Sequence, residues 1–301
     1  MEDIFTLISS LQVEMNRLQC QAEELSPLAS ESIEKCGISE GMTVADIGCG
    51  TGHVSFLISD LVGSKGRVIG IDANPSAIEL CRKTASSNKV KNVSFIVGNA
   101  CDLSGDISGN SVDVTYSRFL LTHLQDPFAA LREMIGITTR KGIIMIEDCD
   151  LTHWIVEPND SYVNELWKWY EGIIRKKGGD PSLGRKLYQM FIQQGLDPKV
   201  DVYSLPITKI NNKIWNSIID VLNKLDEMGN REDSVNMEDS YRSYSSQEFT
   251  GEMKRSFSRP REEMQQPFKL YDLVNGLSSF MHGDYSLFVF PPIFRVWAQK
   301  S

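Results

Sequence analysis

Histidine is scarce in this chain: four occur among 301 residues, and no two are spaced H-x-x-x-H or H-E-x-x-H, the arrangement that sets two imidazoles on one helix face around a metal. The cysteines, Cys20, Cys36, Cys49, Cys81, Cys101 and Cys149, include no C-x-x-C pair. Neither a zinc knuckle nor a disulfide framework is indicated, and no metal is expected. No segment reaches the roughly 18 apolar residues of a membrane span, and the opening MEDIF has acids where a secretory leader needs a basic region. The expectation is a cytoplasmic chain with no membrane partner. A block of Lys and Arg is also missing: 31 basic residues face 40 acidic ones, for a net charge of -9. A phosphate backbone would be repelled by such a surface, so nucleic acid is not expected as a partner.

What is present is an ordinary globular composition, 41% hydrophobic and 24% charged, long enough for one large α/β domain with an appended subdomain. The organising stretch is VADIGCGTG. Val44, Ala45 and Ile47 form a short apolar strand, Gly48, Gly50 and Gly52 follow at alternate positions, and Val54, Leu57, Ile58 and Leu61 then share one helical face. A second strand, RVIGID, ends at Asp72, a carboxylate that can accept from both hydroxyls of a ribose. The glycine spacing is G-C-G-T-G, not the G-x-G-x-x-G that seats a pyrophosphate on a helix N-terminus. It points to a nucleoside ligand without phosphate.

These residues resemble the class I S-adenosylmethionine-dependent methyltransferases, whose D-x-G-x-G-x-G motif matches Asp46, Gly48, Gly50 and Gly52 and whose acidic ribose ligand matches Asp72. The resemblance spans roughly residues 14–210 and 287–299. It implies S-adenosyl-L-methionine as cofactor, with Asp46 and the Gly48-Cys49-Gly50 loop to Gly52 around its amino-acid portion and Asp72 and Ala73 at the ribose. Gly98-Asn99-Ala100 would read the adenine, with Asn99 where the family commonly has an acid. The E-x-x-R-L-x-x-Q-A stretch containing Glu14, Arg17 and Gln21 resembles the lid of small-molecule members of the quinone-biosynthesis and natural-product kind, so Arg17 and Gln21 are candidate substrate contacts. A purely structural surface role is the alternative. G-x-D-P-x-x-G-R-x-L at 178–187 resembles a segment of many members of the same branch, with Asp180 read as a cap and Arg185 as structural.

Short apolar strands alternating with helices predict an α/β fold built on a doubly wound, mostly parallel, seven-stranded sheet. Residues 1–25 read as a helical lid, 26–210 with 286–301 as the methyltransferase domain, and 211–285 as a helical and loop insertion for substrate cover or dimerisation. A homodimer is thus one expected assembly. Pro291-Pro292 implies a bend or an interrupted ladder in the last strand segment.

Ligands of open α/β sheets bind beyond the carboxyl ends of the strands, where strand order switches. That places Ser117, Arg118, Leu121 and His123 after the fourth strand near the reacting methyl group, Ser117 and Arg118 on the cofactor side. Glu147, His153 and Trp154 come at and after the fifth strand. His123, His153 and Glu147 are the candidate bases, needed where the acceptor is protonated near neutral pH; Leu121 and Trp154 are candidate substrate contacts. Each also has a bland reading, as cap, surface or core residue. Three functions stay open: methylation of a small molecule at O, N or C, methylation of a protein side chain, and a non-catalytic binding or assembly role.

Overall fold

A computed structural model describes residues 12–208, 213–229, 275–277, 280 and 287–301. The polar stretch 230–263 and most of 267–283 lie outside the described residues, as do residues 2–11 of the expected lid helix.

Two helices lead in, α1 (Gln12–Glu24) and α2 (Ser26–Lys35), the latter with Pro27 in its first turn, where a missing N–H costs nothing. Then strands and helices alternate as β1 (Thr43–Ile47), α3 (His53–Val62), β2 (Arg67–Asp72), α4 (Pro75–Ser87), β3 (Val93–Val97), β4 (Val112–Arg118), α5 (Pro127–Ile137) and β5 (Thr138–Cys149). After β5 come β6 (Ile155–Glu157), α6 (Ser161–Lys176), α7 (Leu187–Gln193), β7 (Lys199–Tyr203), β8 (Pro206–Thr208), α8 (Lys213–Gly229), β9 (Leu287–Val289) and β10 (Ile293–Gln299).

Seven strands form the main sheet in the order β3-β2-β1-β4-β5-β10-β7. β1 to β5 run parallel, and β10 lies antiparallel to both β5 and β7. Successive residues of a strand face opposite sides, and the core divides accordingly. Ala45, Ile47, Ile69, Ile71, Ile144 and Ile146 pack with α5 and α7, while Val44, Val68, Val114, Tyr116 and Met145 pack with α2 and α3. The expected α/β architecture is therefore present. Strand order reverses between β1 and β4, where Ile47 pairs with Ser117. The glycine turn after β1 and the Arg118 loop after β4 consequently emerge side by side.

Pro291-Pro292 does more than bend a strand. It separates β9, which belongs to a second, three-stranded sheet in the order β6-β9-β8, from β10 in the main sheet. Proline cannot donate to a ladder, and the neighbouring β7/β8 segment breaks at the same level, with Phe290 N–H reaching Leu205 O at 2.8 Å. Around this small sheet a second core gathers from Leu151, Leu166, Trp167, Leu222, Phe288 and Phe290 at the carboxyl end of β5. α1 packs along α8, so two helices far apart in sequence wall the same edge.

Candidate active site

The glycine turn is held from behind. Gly48 and Cys49 N–H both donate to Ile71 O, at 2.7 and 2.9 Å. Gly48, Gly50 and Gly52 have φ of +76°, +53° and +80°, the left-handed region that an L side chain enters at a cost. At Gly52 an added Cβ would lie 2.9 Å from Cys81 Sγ; at Gly50 it would meet nothing within 4 Å. The turn is thus packed at its helix end and open at its centre, a cradle with room for a ligand.

Asp72 ends β2 with Oδ2 accepting from Gly50 N–H at 2.9 Å and Oδ1 from Asn74 N–H at 2.8 Å. A carboxylate has about four acceptor positions, so both oxygens keep capacity for hydroxyl donors. Beside it at the end of β3, Gly98 N–H bonds Asp72 O at 3.1 Å. Asn99 is exposed there, its Oδ1 accepting from Cys101 N–H at 2.9 Å, and Ala100 is buried while Ala73 is exposed. These residues line up along neighbouring strand ends, outside the two cavities described next.

A first cavity, of about 110 Å³, lies over the turn. Asp46, Gly48, Cys49, Gly50, His53 and Arg118 line one side, and Leu18, Gln21 and Leu25 from the α1 region cover the other. Asp46 is 2% exposed, accepts from Ser55 Oγ at 2.6 Å, and is raised to about 6 by burial. Cys49 and Cys81 are buried, and Cys81 Sγ donates to Gly50 O at 3.3 Å. The Cys81 thiol and then burial push Cys49 upward. Ser117 Oγ is buried without a hydrogen-bond partner among the described residues.

A second cavity, of about 200 Å³, adjoins the first; Gln21 and Phe119 line both. Its walls are largely apolar, from Leu151, Leu166, Trp167, Trp169, Ile218, Leu222 and Phe290, and its polar groups are Glu14, Arg17, Gln21, Thr122, His123, Asp148 and Tyr170. Arg17 donates through Nε and Nη2 to Glu14, both at 2.7 Å, and through Nη1 to Gln21 Oε1 at 2.8 Å. His123 closes a 3₁₀ turn, Leu121–His123. His123 is an exposed residue on the cavity's lining, and desolvation by the surrounding protein, then Arg17 and Lys177, lower it from 6.5 to about 4. It is a neutral imidazole at pH 7. Asp148 is pushed up to about 6 by burial, against hydrogen bonds from Thr122 Oγ1 at 2.6 Å and from the Thr122 and Cys149 N–H groups, both at 2.9 Å.

Four expectations need correction. Glu147 is fully buried and accepts from Ser32 Oγ, Tyr116 Oη, Tyr203 Oη and Arg295 Nε. Burial alone would raise it, but Arg118, the two hydroxyls and Arg295 outweigh this and hold it below the usual range. It lines neither of the two cavities described above. His153 has a side chain 62% exposed and joins Thr152, Arg185 and the buried Asp150, because the turn after β5 carries it outward. Leu121 is 0% exposed in the core beneath the site. Trp154 stacks on Trp167 at 5.9 Å and donates to Asn164 Oδ1 at 3.2 Å, so it supports a wall of the second cavity without lining it. Arg185 pairs with Asp150, and Asp180 Oδ1 accepts from Ser182 N–H at 3.0 Å ahead of a 3₁₀ turn whose N-cap is Ser182, not Asp180.

His53 and Phe119 are cavity residues that sequence reasoning passed over; Tyr170 lines the second cavity as well. A signal existed for the first two. His53 opens the helix directly after Gly52, and Phe119 directly follows Arg118, held at a φ of +55°, a strained conformation of the kind that concentrates at ligand sites. Tyr170 lies one step from Trp169 in an aromatic helix, where core and cavity positions look alike.

A family model for a methyltransferase domain matches residues 38–195, just over half of the chain. An uncharacterised methyltransferase of Schizosaccharomyces pombe is 31% identical over 150 residues, covering 48% of this chain and 52% of that protein. A demethylmenaquinone methyltransferase of Lactococcus lactis is 28% identical over 147 residues, covering 48% and 57%. The chain thus spans about half the length of these curated relatives. The crystal structure of the YcgJ protein of Bacillus subtilis superposes with a TM-score of 0.54 at 19% identity over 90% of this chain and 97% of that one, a likeness of fold. With a Gly-rich turn at a sheet switch point and an acid at the end of the next strand, the chain belongs to the methyltransferase-domain family, and its class is that of the class I S-adenosylmethionine-dependent methyltransferases.

Proposed function

We propose that this protein transfers a methyl group from S-adenosylmethionine to a small, largely apolar acceptor bearing one ionisable hydroxyl, amine or enolisable carbon. The observation that carries this reading is the pair of adjoining cavities. One is set over the glycine turn with Asp46, His53 and Arg118 in its lining, the other is larger and mostly apolar, and Gln21 and Phe119 belong to both.

S-adenosylmethionine fits the residues present: the open centre at Gly50 leaves room for backbone approach, and Asp72 keeps acceptor capacity beside it. When bound, it supplies a methyl carbon activated by a sulfonium. The residues of this chain do the rest. Asp72 and the glycine turn orient the donor. The tryptophan and leucine walls exclude water, and holding donor and acceptor in line lowers the barrier by pre-arranged geometry. Arg17, fixed between Glu14 and Gln21, steadies negative charge on the acceptor. His123, neutral at pH 7, accepts the acceptor's proton at a ring nitrogen. α1 and α8 together act as the cover. Similarity to enzymes named for demethylmenaquinone methylation favours a hydroxylated aromatic acceptor, and the flat side chains of Trp167, Trp169 and Tyr170 suit one.

Labelled methyl transfer from S-adenosylmethionine to a panel of naphthols, hydroquinols, amines and peptides tests the reading. Product confined to the apolar hydroxyarenes, and strongly reduced in His123→Ala, is expected. Transfer to peptides alone would overturn it.

A further inference from the structure

Most of the exposed large hydrophobic residues among those described collect on one margin of the main sheet. Val200 and Val202 of β7 and Tyr188 and Ile192 of α7 are 42% to 54% exposed. In the antiparallel ladder Val200 stands opposite Val296 and Val202 opposite Phe294, and residues opposite each other project to the same face. Val296 and Phe294 pack with Leu187, Met190 and Phe191 of α7, so both valines lie on the α7 face, just outboard of that helix. α7 runs from the carboxyl end of β5, where Gly184 abuts Cys149, back to the start of β7. With Leu187, Met190 and Phe191 toward the sheet, a right-handed helix in that direction sets Tyr188 and Ile192 on the β7 side and the exposed Gln189 and Gln193 on the other. Helix and strand thus present one apolar stripe.

β7 is also an edge strand. Among the described residues it pairs with β10 alone, which leaves a row of backbone N–H and C=O groups open along its outer side. Its other face carries charge, an exposed Lys199 and an Asp201 held in place by Lys35 at 2.7 Å and Arg295 at 3.5 Å. A carboxylate has about four acceptor positions, so Asp201 can take a further cation.

The pattern of the strand is complementary to itself. When β7 pairs antiparallel with a second β7 about a two-fold axis, opposite residues must share a face, so the axis falls at a residue position. At Asp201 it would confront two carboxylates, a destabilising pair. At Val202 it would set Asp201 opposite Tyr203 and Lys199 opposite Leu205, with no charge matched. At Val200 it sets Lys199 opposite Asp201 twice and Val200 opposite its own copy, and the Tyr188 and Ile192 flanks of the two α7 helices then face each other across the valines.

We infer that this margin is a homodimer interface, two copies joined through β7 in the register that sets Lys199 opposite Asp201 of the second copy. The two-fold axis closes the pairing: neither copy keeps this edge, and association stops at two. Pro198 has no N–H to donate and ends the ladder, which keeps the interface small. The inference stands independently of the methyl-transfer reading.

Sedimentation equilibrium of the full chain at low salt, from about 1 to 200 µM, is the test, with a dimer dissociation constant of about 1–50 µM expected for wild type. Lys199→Glu puts like charges opposite each other twice and should weaken the dimer about tenfold or more; Val200→Glu puts two carboxylates on the axis and should weaken it about 30-fold or more. Leu61→Glu, at an equally exposed position on α3, should change it by less than about threefold. Far-UV circular dichroism establishes that each variant is folded; should Val200→Glu fail there, Lys199→Glu decides alone. A wild type that stays monomeric to about 200 µM would overturn the interface, and so would a dimer that Lys199→Glu weakens by less than about threefold.

Discussion

Replacing Glu147 by glutamine removes the one carboxylate between two buried guanidinium groups while keeping side-chain volume. The wild-type oxygens accept from Ser32 and Tyr116, both at 2.5 Å, and from Tyr203 and Arg295, both at 2.8 Å. A glutamine oxygen has two lone pairs and its amide can only donate, so at least two of four donors lose their acceptor. Each orphaned buried donor costs about 1–3 kcal/mol, and breaking a buried pair by neutralising one partner costs about 3–5 kcal/mol. Arg295 keeps Glu31 and Asp201, at 3.1 and 3.5 Å, which limits its share. The expected loss is about 4 kcal/mol, seen as a lower urea midpoint at unchanged slope by far-UV circular dichroism, with Tm down by roughly 8 °C. The pH dependence carries the same signature. Glu147 is held below its unfolded value, so its contribution is present above about pH 4.5 and disappears as pH falls through the folded value; Glu147→Gln should therefore lie closest to wild type in acid. A loss under about 1 kcal/mol at pH 7 would refute the reasoning.

The other predictions concern the site itself. Gly50→Val forces a β-branched residue to a φ of +53° and projects it into open space; S-adenosylmethionine binding should fall below detection in calorimetry while the loss of stability stays near 1–2 kcal/mol. His123→Ala should lower kcat about 10²–10⁴-fold with little change in KM, and the wild-type rate should be flat from about pH 6 upward because the imidazole is already neutral; a tenfold rise between pH 6 and 8 would exclude His123 as the base. Asp46 and Asp148 are each raised from 3.8 to about 6. The folded state then binds more protons than the unfolded one between those values, so each contributes a fall in stability with rising pH, at most about 1.4 kcal/mol per pH unit. Asp148→Asn should flatten urea-midpoint profiles between pH 4 and 6, and an unchanged slope would count against a raised Asp148.

Much of the cofactor side was legible because its signals are local. Asp46, the alternate glycines and Asp72 lie within one strand-helix-strand unit, where a turn with positive φ leaves its mark directly in composition. The approach of Arg118 followed from topology, since β4 must lie next to β1 when strand order switches. Arg17, Gln21 and His123 line the second cavity. The failures come from side-chain pairing, remote in sequence for Glu147 and mostly local for His153 and Trp154. Glu147 looks like a strand-end acid until Ser32 and Arg295 close on it from 115 and 148 residues away. His153 looks like an active-site histidine until Asp150 and Arg185 hold it outside. The three-residue strands β6, β8 and β9 are too short for an alternation pattern, so the second sheet and the cavity roof it supports were invisible.

Binding of S-adenosylmethionine by wild type and by Asp72→Ala, measured by calorimetry on the full chain, tests the central claim most directly. Micromolar affinity that falls at least about tenfold in the variant, as the loss of hydrogen bonds to a charged acceptor requires, is the predicted result. No heat of binding from folded wild type would contradict it.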